Sequence, residues 1–181
     1  MTVESLAAWL FAAMVSWSPP AQHREGERVA SERYRSIAHD FAAVALDEHE
    51  PAVFDGPQGR PQTALLLAAI AASESSYRAD VDSGQVKGDH GKSWCILQVQ
   101  VYGKTAENWT GEEIVADRKK CIRVALHRMK ESFLECKALP LVYRLAGYTA
   151  GTCFEDPKAE YRTRRALSWW KTHPFLVLED S

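Results

Sequence analysis

Apolar residues recur with the helical period along most of this chain, and only one short stretch departs from it. Ser5 to Trp17 is apolar almost throughout. Arg24 to Glu50 places Val29, Ala30, Tyr34, Ile37, Ala38, Phe41, Ala42, Ala45 and Leu46 on one face with charges opposite, which predicts a long amphipathic helix. Pro51 to Pro61, with Asp55-Gly56-Pro57 and Gly59, reads as a loop. The unbroken run Ala64 to Ala72 behind Pro61 is too apolar for an exposed helix. It predicts a buried one over Gln62 to about Ser73, with Glu74 near its C-terminal end.

Ala79 to Lys92 is polar and punctuated by glycine, and Cys95 to Tyr102 mixes apolar and polar residues over strand length, so a small hairpin is expected there. Asp117 can cap a helix running through Cys121, Ile122, Val124, Ala125, Leu126 and Met129 to about Cys136. Thr110 and Glu113 form a capping box just before it. Pro140 restarts the chain into a short helix through Tyr143, Leu145 and Ala146. A last helix spans Lys158 to Lys171 and ends at His173-Pro174. The predicted fold class is mainly α, an α+β helical bundle around the Glu74 helix with one small β-hairpin.

With 181 residues, 46% hydrophobic and 25% charged, the chain reads as one domain, residues 1–55 forming an N-terminal helical region and 60–172 the core. The formal charge of −2 argues against nucleic acid as a partner. Ser5 to Trp17 has the hydropathy of a signal segment. However, Glu4 precedes it in place of Lys or Arg, Ser18-Pro19-Pro20 is a poor cleavage context, and the stretch is too short to span a bilayer. A folded first helix is the expectation, with no stable membrane insertion.

Four cysteines, Cys95, Cys121, Cys136 and Cys153, lack any Cys-x-x-Cys pair, and no histidine stands at ligand spacing near them, so neither a metal nor another cofactor is expected. The even count suits two disulfides in an oxidising compartment, and four buried free thiols would look the same in sequence. Of the three pairings, Cys136 with Cys153 and Cys95 with Cys121 is preferred, because the first pair brackets one compact segment.

Glu74 is the leading catalytic candidate. Burial and the partial negative charge of a helix C-terminus both oppose its ionisation, so its pKa should be raised, and a carboxyl kept neutral near pH 7 is a general acid. The plain alternative is a solvated residue ending a core helix.

Four ordered segments between Gln62 and Trp170 resemble the lytic transglycosylases and goose-type lysozymes. Glu74-Ser75-Ser76-Tyr77 resembles their catalytic Glu-Ser-x-aromatic motif, and Cys95-Ile96-Leu97-Gln98-Val99 their Gly-Leu-Met-Gln-hydrophobic strand. Ile114 to Asp117 with Cys121-Ile122 resembles their Leu-x-Asp-Pro-x-x-Asn-Ile helix start. Leu145-Ala146-Gly147-Tyr148-Thr149-Ala150-Gly151 resembles their Ala-Tyr-Asn-Ala-Gly motif. Cys95 replaces the usual glycine, Thr149 an asparagine and Cys121 another asparagine. Gly88-Asp89-His90-Gly91 resembles the goose-type run whose aspartate helps to position water, while Gln100 stands where a second such acid would fall.

The resemblance implies a lysozyme-like fold and a muramidase acting on peptidoglycan glycan strands as a monomer in the cell envelope, reached by export or by phage delivery. Glu74 would be general acid and base, with Asp89 beside it. Ser75, Tyr77, Gln98, Tyr148 and Thr149 would be substrate-side residues, Tyr148 bonding near Glu74, and Trp94 would stack on a sugar face. Trp109, Trp169, Trp170 and His90 are weaker candidates of the same kind. Two other readings stay open: a peptidoglycan-binding module without turnover, and a helical interaction domain with accidental motif matches.

Overall fold

The apolar pattern becomes eight α-helices and one two-stranded hairpin in the computed structural model, which describes residues 1–175. The helices are α1 (Val3–Trp17), α2 (Glu27–Leu46), α3 (Gly59–Glu74), α4 (Ala79–Asp82), α5 (Gly111–Ala116), α6 (Arg118–Glu135), α7 (Ala146–Ala150) and α8 (Pro157–Thr172). The core lies around α3. Ala64 to Ala71 are essentially without exposure, because α1, α2, α6 and α8 all pack on that helix. Each leucine so buried contributes about 1.5–3 kcal/mol, and the end of this rigid rod is where Glu74 stands.

Caps set the boundaries. Thr110 and Glu113 form the expected capping box on α5, and Asp117 accepts from the Lys119 N–H to start α6. The expected loop 51–61 is shorter than the glycine and proline content suggested, since α3 begins at Gly59. Thr63 secures that first turn by donating to the Gly59 carbonyl at 2.7 Å while accepting from the Val53 N–H at 2.9 Å.

The N-terminal apolar segment is a helix whose Leu6, Leu10, Ala13 and Met14 belong to the core. Its aromatic side meets α8, with Trp9 edge-on to Trp170 at 5.6 Å and Trp17 edge-on to Trp169 at 6.0 Å. Trp169 and Trp170 therefore serve helix packing. No helix among the described residues is long and apolar enough to cross a membrane.

The hairpin forms, but in a different register from the expected strand. Ser93–Trp94 (β1) pairs antiparallel with Val99–Gln100 (β2), and Cys95 to Gln98 make the turn between them. Cys95 and Gln98 take left-handed backbone, φ 58° and 49°, which a continuous strand excludes. Ile96 and Leu97 looked like strand residues because they are apolar. They are apolar because the turn dips into the core, where both are fully buried.

Both preferred disulfides are present, Cys95 with Cys121 and Cys136 with Cys153. This pattern is compatible with an oxidising compartment outside the cytoplasm.

On α6, His127 bridges two carboxylates, with Nδ1 2.7 Å from Glu107 and Nε2 2.8 Å from Glu50. Partial burial opposes its charge, yet the hydrogen bonds and charges of Glu107 and Glu50 outweigh burial and raise its pKa above the ordinary 6.5. The stabilisation from protonated His127 is thus complete below about pH 6.5 and disappears as pH rises through the raised value. Thermal melts of the wild type should lose more stability than those of His127→Gln as pH rises from about 6 to about 9. Equal losses in the two proteins would show that this bridge is not the titrating element.

Candidate active site

Glu74 is the last residue of α3, and its side chain, 23% exposed, opens into a cleft of about 500 Å³. Four other elements complete the walls: the 3-10 turn 89–91 with Asp89, the hairpin with Ser93, Gln98 and Gln100, helix α7 with Tyr148 and Thr149, and helix α8 with Lys158 and Arg162. Arg128 of α6 also lines the cleft. Of the residues singled out in the sequence, the structure brings Glu74, Asp89, Gln98, Tyr148 and Thr149 to this one cavity.

Burial raises the pKa of Glu74 and is the largest influence on it. Arg162 and Lys158 oppose that shift, and the charge of Asp89 adds to it. The expected direction therefore holds against two opposing cations. Arg162 Nη1 lies 2.8 Å from Glu74 Oε1, close enough for charge and hydrogen bonding both to lower the Glu74 pKa, although its N–H points off the line to that oxygen.

Asp89 stands at the cleft rim on left-handed backbone, φ 46°. Its Oδ2 accepts from the Ser93 hydroxyl at 2.5 Å and from the Gln100 amide at 3.0 Å, and these two bonds hold its carboxyl below the usual range. Gln100 is thus a donor to Asp89, where a second acid would repel it.

Tyr148 donates its hydroxyl hydrogen to the Leu97 carbonyl at 2.9 Å rather than to Glu74. Burial, with the charge of Glu74 second, raises its pKa far above the ordinary tyrosine value, so the ring stays neutral and ties α7 to the hairpin turn. Thr149 donates to Asp156 Oδ2, and Asp156 in turn caps α8 by accepting from the Lys158 and Ala159 N–H groups. The Thr149 hydroxyl proton is therefore engaged within the fold. Gln98 donates to the Cys95 carbonyl at 2.9 Å, and its Oε1 fills the space that a Cβ on Gly88 would need, at 2.3 Å.

Three expected substrate contacts are placed elsewhere. Tyr77 is 0% exposed, packs edge-on against Tyr34 and donates to the Ala68 carbonyl at 2.8 Å. Ser75 is 5% exposed, donates to the Ala71 carbonyl at 3.0 Å and accepts from the Tyr77 N–H. These two residues terminate α3 and so aim Glu74; neither reaches the cleft. Trp94 lies outside the cleft lining, sandwiched between the Lys87 ammonium, 3.4 Å from the ring centroid, and Gly111, where a Cβ would fall 2.2 Å from the ring. Its apolar face is spent on α5.

Arg162, Lys158 and Arg128 line the cleft without having been candidate site residues in the sequence. Arg162 had a usable signal, since it falls on the buried Ala159, Thr163 and Ala166 face of α8 where an arginine needs an anion. The two departures at Cys95 and Cys121 also turn out to be a single feature, because they are bonded to each other and pin the hairpin turn to the first turn of α6. Comparison with protein families, with characterised proteins and with solved structures finds no match to this chain.

Proposed function

We propose that this chain is a muramidase that cleaves the β-1,4 bond between N-acetylmuramic acid and N-acetylglucosamine in peptidoglycan, acting as a lytic transglycosylase. The observation that carries this reading is Glu74, a carboxyl with raised pKa at the end of a buried helix, opening into a polar cleft that also holds Asp89, Gln98 and Tyr148. Glu74 would protonate the leaving O4 of N-acetylglucosamine as positive charge develops at the muramic C1. The substrate's own acetamido group would stabilise that carbon, so no protein nucleophile is required. The Glu74 carboxylate would then take the proton of the C6 hydroxyl while O6 attacks C1, closing a 1,6-anhydro ring. The two disulfides agree with the cell envelope as its place of action.

The second reading is a goose-type hydrolase in which Asp89 holds the attacking water. Asp89 does share the cleft with Glu74, but its Oδ2 already carries two donors, Ser93 and Gln100, and Gln100 brings an amide where a second acid would help to orient water. Intramolecular attack by O6 needs no positioned water, since proximity replaces it. Mass spectrometry of digested peptidoglycan should therefore find anhydro-muropeptides, lighter by one water than hydrolytic products, and Asp89→Asn should slow the reaction modestly without changing them. Reducing-end muramic acid as the main product, with activity lost in Asp89→Asn, would establish the hydrolase. Binding of glycan strands without any product would establish the non-catalytic module.

A further inference from the structure

Arg162 is 7% exposed on the inner face of α8, and its buried Nη1 is paired with Glu74 Oε1 at 2.8 Å but has no well-aligned hydrogen-bond acceptor among the described residues. A guanidinium keeps its charge when buried and presents donors in a fixed fork, so the site is built to receive an anion and its present partner fills it imperfectly. No other acceptor among the described residues bonds to that atom. Asp89 is held by Ser93 and Gln100, Asp156 by Thr149 and the first turn of α8, and the Leu97 carbonyl by Tyr148. Around the cavity, Arg128 of α6 and Lys158 and Arg162 of α8 face Glu74 of α3 and Asp89 of the 3-10 turn, while Tyr148 of α7 stays neutral. Three cations thus face two carboxylates, so the cleft draws an anion in.

We propose, on the reading of Glu74 as the general acid, that Arg162 is an anion receptor which exchanges Glu74 for a carboxylate carried by the substrate, so that an acidic glycan, and not a neutral one, puts Glu74 into its proton-donating form. A substrate carboxylate entering from the cleft can meet the guanidinium fork along its N–H directions, bidentately, which Glu74 does not do. Once Arg162 turns to the newcomer, Glu74 keeps its burial and loses its counter-charge. It then takes one proton from solvent, so the charge of the cleft is unchanged, with one carboxylate in and one carboxylate neutralised. By linkage, acidic ligand and proton bind cooperatively. A neutral N-acetylglucosamine oligomer can occupy the same cavity without driving that exchange.

The test is a carboxyl ¹³C NMR titration of Glu74, its resonance identified by its absence in Glu74→Gln, run on the free protein, with saturating N-acetylglucosaminyl-N-acetylmuramic acid, and with saturating chitobiose. The acidic disaccharide should raise the midpoint by about one pH unit, a tenfold change in proton affinity, and chitobiose by much less. Buffer-dependent calorimetry should find proton uptake with the acidic sugar alone. In Arg162→Gln the free protein should already titrate high and respond to neither sugar, and Arg162→Lys should restore part of the difference. Equal shifts with both sugars, occupancy of the cleft by the acidic sugar without a shift, or no binding of the acidic sugar would each overturn the exchange. Cleavage of intact peptidoglycan by the wild type is scored separately, so activity without the differential shift removes this inference and leaves the general-acid reading standing. A differential shift without cleavage does the reverse.

Discussion

Glu74→Gln is expected to fold as the wild type does and to lose at least ~100-fold of its peptidoglycan-cleaving rate. The amide keeps the shape of the carboxyl and fills the same space at the end of α3, but it has no proton to donate. Stability should move in the opposite sense to activity. Because the folded state raises the pKa of Glu74, its ionised form is disfavoured by folding, and its contribution to stability falls as pH climbs past the unfolded value. Glutamine resembles the neutral acid, so at neutral pH the variant should melt at or above the wild-type temperature. That is the expected pattern where a strained charge is kept for function. A variant that still clears peptidoglycan at the wild-type rate would refute the mechanism. One that melts well below the wild type would show that the ion pair with Arg162 contributes more than burial costs.

Reduction of the disulfides should produce the second large effect. Their ring closures span 26 and 17 residues, which in the chain-entropy account amount to about 3.5 and about 3 kcal/mol. Domains of this kind are stable by roughly 5–15 kcal/mol, so losing both closures removes a large part of the margin. The melting temperature should fall by about 10–25 °C in reductant, at roughly 2–4 °C per kcal/mol for a chain of this size. Activity should fail before global unfolding, because Cys136 with Cys153 closes the segment that carries Tyr148 and Thr149. Melting curves that superimpose with and without reductant, with four thiols titrated in the reduced sample, would refute this account.

The parts of the molecule legible in its sequence are those decided by local chemistry. The period of Val29 to Leu46, the run Ala64 to Ala72 and the capping residues Thr110 and Asp117 act within a few residues of where they stand, and each marks a helix or its end. The position of Glu74 at the end of the buried helix was legible for the same reason, since the apolar run stops just before it. What escaped depends on distant partners. Tyr77 and Ser75 have the same residue types whether they face a cleft or finish a helix, and only the packing of Tyr34 and the Ala68 carbonyl decides. Trp94 could have stacked on a sugar, but Gly111 offers it a bare backbone some 17 residues away. Arg162 is brought to Glu74 across 88 positions, and no local pattern at either residue announces the other.

Cys95 holds left-handed backbone, a conformation that costs a residue with a β-carbon on the order of 1 kcal/mol or more and glycine almost nothing. Alone, a cysteine there is a net loss. With Cys121 in place the ring closure outweighs that loss, whereas Cys121 alone is a small apolar side chain buried in α6 and nearly free of penalty. The two half-cystines are therefore not equivalent: Cys121→Ala alone should cost the ring closure and leave position 95 strained, whereas Cys95→Gly removes the closure and the strain together, so the glycine variant should melt above the Cys121→Ala variant.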